Sequence, residues 1–254
     1  MEVVRRPFQG VWNIIRFNWP YYVISISVFI ALLFMKDNVN AVPDYIISGL
    51  LTVIFCATTL SILASYFIYD HSNLYEFTWL HITDADNCST IVNINAGFDE
   101  TSNIIKQIYT NSQLMVFDFY DRYKHTEASI KRARTAYPPF PGTQQVNTKH
   151  LPLEDHSTSK VFAIFAAHEI RDDEERIQFC KEIRRILKPE GQLIVTEHLR
   201  DAANFLVYNI GFFHFLYKKT WLNTFERSGF KISSEIKITP FVTTFILVKD
   251  GTES

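Results

Sequence analysis

The sequence predicts an α/β fold: a mostly parallel sheet with helices on both faces, preceded by a two-helix hairpin that spans a membrane. Three observations predict it. Residues 161–201 read as strand, helix, strand; both strands of that unit end in charged clusters; and residues 1–70 hold two long uncharged apolar stretches. A βαβ unit with apolar strands implies a sheet buried on both faces, and open sheets of this kind bind ligands beyond the carboxyl ends of their strands. Both charged clusters fall there.

The unit itself is well punctuated. The apolar run 161–167 stops at His168, Glu169 and Arg171. Ile177, Cys180, Ile183, Ile186 and Leu187 follow at helical spacing, with charges between them. Asp172, Asp173, Glu174 and Glu175 open the helix, while Lys181, Arg184, Arg185 and Lys188 close it, as the helix dipole favours. Pro189 and Gly191 stop it. The second run, 193–196, stops at Glu197, His198, Arg200 and Asp201.

Composition sets outer bounds. A chain of 254 residues accommodates one large α/β domain and an appendage. Its formal charge of −2 gives no electrostatic case for nucleic acid. An aromatic fraction of 15%, including 22 Phe, suits a lipid-facing surface or an apolar substrate. Cys56, Cys88 and Cys180 have no metal-ligand spacing and read as free thiols in a reducing compartment.

Residues 17–35 and 45–69 carry no formal charge, and each stretch is long enough for the ~20 residues of a spanning helix. Tyr21, Tyr22, Tyr45, Tyr66 and Tyr69 lie near the ends, where an aromatic belt belongs. A signal peptide fits poorly, because two segments occur and no small-residue cleavage site follows the first. Arg5, Arg6 and Arg16 precede the first helix, whereas the connecting loop holds Lys36, Asp37 and Asp44. The positive-inside rule therefore puts the N-terminus and a domain at 71–254 on the cytoplasmic side of the inner (cytoplasmic) membrane, with 1–70 as the hairpin. Neither helix contains an internal charge to mark a translocation path, which argues against a transporter.

The piece KEIRRILKPEGQLIVTEH, starting at Lys181, resembles the "R-x-LKPGG-x-hhh-x-E" crossover of class I S-adenosylmethionine-dependent methyltransferases. The resemblance covers roughly residues 79–248. It implies a Rossmann-like seven-stranded sheet with the last strand reversed, and S-adenosyl-L-methionine as cofactor. Residues 90–102, TIVNINAGFDETS, stand where the family has its first strand and its "VLD-x-G-x-G-x-G" loop. Here Asn93 replaces the usual acid and Asn95 the first glycine; only Gly97 remains, a form closer to the leucine carboxyl methyltransferase group. These three are the expected donor loop. Residues 114–118, LMVFD, end in Asp118, which the resemblance assigns to the ribose hydroxyls, with Asp121 as the competing acid. Phe119 is placed to cover the adenine, and Asn147, in a third strand at 144–148, to read its amino group.

Other segments follow the same order. Residues 125–134 read as a helix whose basic face is solvated or touches anionic headgroups. LPLED at 151–155 resembles the family's "LPFED" before the fourth strand. Residues 204–215, NFLVYNIGFFHF, are either a lid over the substrate or an interfacial helix, with Asn204, Tyr208 and residues 210–211 on one side and His214 further on. A closing helix at 221–229 and strands at 230–238 and 241–248 complete the chain.

Methyl transfer from a sulfonium needs alignment, plus a base when the acceptor is a hydroxyl or an acidic carbon. His168 and His198 are the candidate bases and Glu169 and Glu197 their partners. Arg171 and Arg200 either pair with those carboxylates or hold an anionic substrate group, with Asn204, Tyr208 and His214 lining the substrate side. The bland alternative is an ion-pair network tying loops together. His168, Glu169, Glu197, His198 and His214 also offer nitrogen and oxygen ligands suited to Mn, Fe or Zn, but in no known metal spacing, and no metal is assigned. The leading expectation is methyl transfer to a lipophilic small molecule resident in the lipid bilayer, such as a quinone, polyene, isoprenoid or fatty-acyl derivative. Its rival is a chain of the same fold with other, possibly metal-assisted chemistry, or a membrane scaffold.

Overall fold

The computed structural model describes residues 5–38, 42–80, 89–125 and 127–251. Cys88 lies outside them. The chain opens with three helices, α1 (Gln9–Phe17), α2 (Trp19–Asn38) and α3 (Asp44–Tyr66). Both α2 and α3 are long and apolar enough to cross a membrane. No residue of α2 is buried, and α3 buries only Ile47, Leu51, Ala64 and Ser65. The two pack together, with Ser25 and Thr58 sharing a hydrogen bond of 3.2 Å.

The expected helix over 45–69 ends early. After Tyr66 the chain widens into a π-turn, Phe67–His71, and then tightens into a 3₁₀ turn, Asn73–Tyr75. Such π-turns insert a residue and re-aim the side chains beyond it. Asp70 is thereby turned onto the start of α1, where its carboxylate accepts from the amides of Gly10 at 2.7 Å and Val11 at 2.8 Å. A Cβ on Gly10 would lie 2.3 Å from Tyr69 Cβ, so only glycine lets the two segments meet.

Twelve further elements alternate: β1 (Thr90–Asn95), α4 (Ser102–Ile108), β2 (Gln113–Asp118), α5 (Ala128–Ala136), β3 (Gln144–Gln145), β4 (Thr158–Ile164), α6 (Asp173–Ile186), β5 (Leu187–Glu197), α7 (Ala202–Tyr208), α8 (Lys218–Arg227), β6 (Phe230–Thr239) and β7 (Val242–Lys249). The seven strands form one sheet in the order β3-β2-β1-β4-β5-β7-β6. Every pairing is parallel except those of β7, which runs against both β5 and β6. The order reverses between β1 and β4, and that switch point sets where ligands bind.

Where the elements differ from expectation, the cause is local. The third strand shrinks to Gln144–Gln145, because Asn147 turns the chain by accepting from the amides of Lys149 and His150. Helix α5 begins at Ala128 rather than 125, since His125 Nδ1 accepts from the amide of Asp121 and closes a turn of its own. Its basic face is not simply solvated. Arg132 donates to the Phe17 carbonyl at 2.5 Å and lies over the Trp19 ring, so α5 docks on the N-terminal helices.

Helix α6 behaves as its sequence requires except at its end: Leu187, expected on its apolar face, opens β5 instead, and Pro189 and Gly191 lie within that strand. Asp172 caps it by accepting from the Glu175 amide at 2.7 Å, and Ile177, Cys180, Ile183 and Ile186 are buried against the sheet. Arg185 fastens LPLED, donating to the carbonyls of Leu151 and Leu153 and to Asp155. The unexpected member is Arg176, fully buried, which donates to the Ile170 carbonyl at 2.8 Å and Thr224 Oγ1 at 3.2 Å beneath the Trp221 ring. Replacing it orphans buried acceptors and opens a void: Arg176→Ala is expected to lower stability by about 3 kcal/mol, read as a lower melting temperature, with no change in the oligomeric or spectroscopic properties of the folded fraction.

Candidate active site

Beyond the carboxyl ends of β1 and β2 lies an open cleft of about 360 Å³, lined by Asn95, Gly97, Asp99, Asp118, Arg134 and Tyr137, among others. Its floor is the loop after β1. Gly97 sits at φ +99°, a conformation costly for other residues, and Asn95 Oδ1 accepts from its amide. Asn93 is buried and turns inward, donating to Thr101 Oγ1 at 3.0 Å and Ser102 Oγ at 2.8 Å. Asp99 is the carboxylate of the loop: its Oδ1 accepts from the amides of Thr101 and Ser102. The other oxygen, Asp99 Oδ2, and Asn93 Oδ1 are buried acceptors without a donor among the described residues. Sequence reasoning passed over Asp99 because the family's acid stands on the strand, not four residues beyond Asn95.

Asp118 ends β2 beside Asn95, as expected, with the two in register. Its Oδ1 accepts from the Tyr120 amide, and its Oδ2 is paired with Arg134 Nη1 at 2.5 Å. The same guanidinium stands where a Cβ on Gly97 would be, at 2.8 Å from that position, and above the Tyr120 ring. Phe119 and Asn147 are elsewhere. Phe119 packs into the core against Phe179 and His125, and Asn147 is exposed on its turn.

A second cleft of about 480 Å³ shares Asn95 and Phe98 with the first and extends over Ile94, Ile164 and Phe165. One wall comes from the N-terminal segment. Tyr75 donates to Glu100 Oε2 at 2.9 Å, and Arg5 and Asn13 reach Glu100 Oε1, each at 3.1 Å. Asn13 also accepts from the Tyr137 hydroxyl at 2.7 Å, and Phe17 packs on Phe98 and Tyr137. Thus α1 and the tail of α3 close one side of both clefts.

His168, Glu169, Glu197 and His198 do not form a single group. Neighbours in a strand face opposite sides, so Glu197 and His198, at the end of β5, part company. Glu197 meets His168: its carboxylate accepts from the His168 amide at 3.2 Å and is 2.6 Å from Nδ1. Burial opposes a charge on His168, but Glu197 and Glu169 outweigh it and push its pKa up to about 10. Glu169, which burial alone would raise, is held well below the carboxylate range by His168 and His214. His198 lies on the other side, stacked between Phe165 and Phe215. Its Nδ1 donates to the Phe241 carbonyl at 2.9 Å, which leaves Nε2 to accept from the Tyr69 hydroxyl at 2.8 Å. Burial lowers its pKa to about 3, so this imidazole is neutral.

Arg171 and Arg200 pair with no carboxylate among the described residues. Arg171 donates to the His214 carbonyl and ring, Arg200 to the Phe213 carbonyl, and both thereby hold the 3₁₀ turn Asn209–His214 that follows α7. Asn204 and Tyr208 face inward, to the Phe241 carbonyl and to His198, whereas Ile210 points to solvent rather than sharing their side. Asn209, at φ 50°, breaks the helix between them. Tyr69 is the residue that sequence reasoning missed most completely, since it lies in a stretch that reads as membrane helix.

Residues 105–195 match a family model described as a methyltransferase domain. The mitomycin 7-O-methyltransferase superposes with a TM-score of 0.55 at 12% identity, covering 97% of this chain and 74% of its own. A protein from Pyrococcus horikoshii OT3 gives 0.50 at 15% identity, covering 72% and 95%. An N,N-8-amino-8-demethyl-D-riboflavin dimethyltransferase from Streptomyces davawensis gives 0.50 at 9%, covering 81% and 59%. No curated protein matches the chain by sequence. The family match is set inside a sheet of Rossmann-like order, the fold shared with these solved methyltransferases. The match supports an enzyme that transfers methyl groups, with S-adenosylmethionine as cofactor.

The first cleft fits that cofactor at both ends. The two donorless acceptors, Asp99 Oδ2 and Asn93 Oδ1, suit an ammonium group, and Asp118 suits vicinal hydroxyls once Arg134 moves aside. Arg134 is about a third exposed, at 36%, so it has room to do so.

Proposed function

We propose that this chain is a membrane-anchored methyltransferase that modifies a lipophilic acceptor drawn from the bilayer, such as a quinone, polyene, isoprenoid or fatty-acyl derivative. The observation that carries this reading is the second cleft, largely apolar, adjoining the donor cleft at Asn95 and Phe98 and walled by Tyr75 from the tail of α3. An acceptor leaving the membrane along α3 reaches the site without crossing water. A greasy surface beside that route supports it: Phe205, Leu206, Ile210 and Phe213 are exposed, and Val207 and Tyr208 pack with Ala64 and Ile68 of the α3 tail. Arg5, Arg6 and Arg16 orient the domain to the cytoplasmic face of the inner membrane.

The cofactor, held by Asn93, Asp99 and Asp118, would supply an electrophilic methyl group. The chain supplies alignment, which accounts for most of the catalysis of such a displacement. Phe98 separates the clefts, and Glu100, held by Arg5, Asn13 and Tyr75, offers its carboxylate to an acceptor hydroxyl. Mass spectrometry of lipid extracts from cells with and without the gene tests the reading, together with transfer of labelled methyl to those extracts by the detergent-solubilised chain. A lipid heavier by one methylene is expected; donor binding without label in any lipid would overturn it.

Arg134 favours a second reading, a chain of this fold that does not transfer methyl groups. Its guanidinium occupies both the Gly97 approach and the Asp118 carboxylate. Failure of the solubilised chain to bind S-adenosylmethionine saturably would decide for it.

A further inference from the structure

Apart from both clefts, His168, Glu169 and His214 bring three ligand atoms within 4.8 Å of one another, and the first two residues are buried. We propose that these side chains bind a first-row divalent transition metal, through Nε2 of each histidine and Oε1 of Glu169. Two of the ligand separations match a metal's coordination shell. Glu169 Oε1 is 3.4 Å from His168 Nε2 and 3.2 Å from His214 Nε2. Ligands about 2.0–2.1 Å from a tetrahedral ion stand roughly 3.4 Å apart.

The surroundings are those of a metal site. His168 has Glu197 on its Nδ1, at 2.6 Å, and His214 has Glu127 on its Nδ1. A carboxylate behind each imidazole fixes the ring, raises its basicity and directs Nε2 forward, and both histidines have one. Glu169 and Glu197 are two carboxylates buried on either side of His168, and a divalent ion on Nε2 would take the place of the imidazolium proton as their counter-charge. Two imidazoles and one carboxylate suit Zn, Fe, Mn or Co and leave a coordination position for water or a further ligand. Arg171 now donates to His214 Nε2 at 2.7 Å; it is exposed, and metal binding displaces it to solvent. The ion would clamp the turn Asn209–His214 onto the end of β4, which ends three residues before the 3₁₀ turn Ala167–Glu169.

The test is zinc uptake by the full-length, tag-free chain in detergent, stripped with a chelator and then titrated with Zn²⁺ alone. One equivalent per chain is expected, with a rise in melting temperature. His168→Ala, Glu169→Gln and His214→Ala should each abolish it, and Glu197→Gln should weaken it about 10–100-fold. Arg171→Ala should bind at least as tightly as the parent, and exposed His150→Ala should bind unchanged. Less than half an equivalent in the parent chain, or uptake untouched by the ligand variants, overturns the site. Should a ligand variant fail to fold, parent stoichiometry and the Arg171→Ala result decide. Donor binding on the same samples is read separately, so failure of the methyltransferase reading and failure of the metal site give different outcomes.

Discussion

Asp118→Ala should weaken S-adenosylmethionine binding about 100-fold, while Arg134→Ala should tighten it. Asp118 is the only carboxylate at the end of β2, nearly buried at 4%, and a carboxylate holding two hydroxyls contributes about 3 kcal/mol, or some two decades of affinity. In the free chain Arg134 holds that carboxylate, so the donor must first break an ion pair. A pair with one partner a third exposed is worth at most about 1 kcal/mol after solvent screening, so its removal should tighten binding by up to about fivefold. Equilibrium dialysis of the solubilised chain with labelled donor reads both variants. Weaker binding in Arg134→Ala would mean that the guanidinium grips the donor itself rather than guarding its seat. Equal binding in Asp118→Ala and the parent would remove Asp118 from the site.

The fate of Asp118 shows what a linear reading captures. A strand that ends in an acid about 20 residues after a glycine loop has one place in a doubly wound sheet, and β2 puts it there. The crossover was equally legible, because Asp172 and the apolar face of α6 both act through neighbours in sequence. Arg134, Tyr75, Glu100 and Tyr69 were not. Each works through a contact more than a helix away: Arg134 with Asp118, Glu100 with Arg5 and Tyr75, Tyr69 with His198. Tyr69 was further masked by the π-turn, which swings a residue of an apparently continuous apolar helix into the strand-end site. The reading of His168 and His198 as equivalent bases foundered on strand alternation, a rule the sequence states plainly once the strand's end is known.

That separation has a consequence for stability. His198 is neutral when folded, with its pKa lowered to about 3, whereas in the unfolded chain it titrates near 6.5. As pH falls below 6.5 the unfolded state takes up a proton that the folded state refuses, so folding weakens, by at most about 1.4 kcal/mol per pH unit, until pH approaches 3. Above 6.5 both states are neutral and the residue contributes no pH dependence. His198→Gln retains a side chain able to accept from the Tyr69 hydroxyl but cannot titrate. Between pH 6.5 and 5 the parent is therefore expected to lose about 2 kcal/mol more than His198→Gln, measured by chemical denaturation in one detergent at both pH values. At pH 7.5 the order should reverse, because glutamine lacks the aromatic stacking with Phe165 and Phe215. Parallel pH curves for the two chains would show that His198 is protonated in the folded state, and with it that the Tyr69 hydroxyl is not the group donating to Nε2.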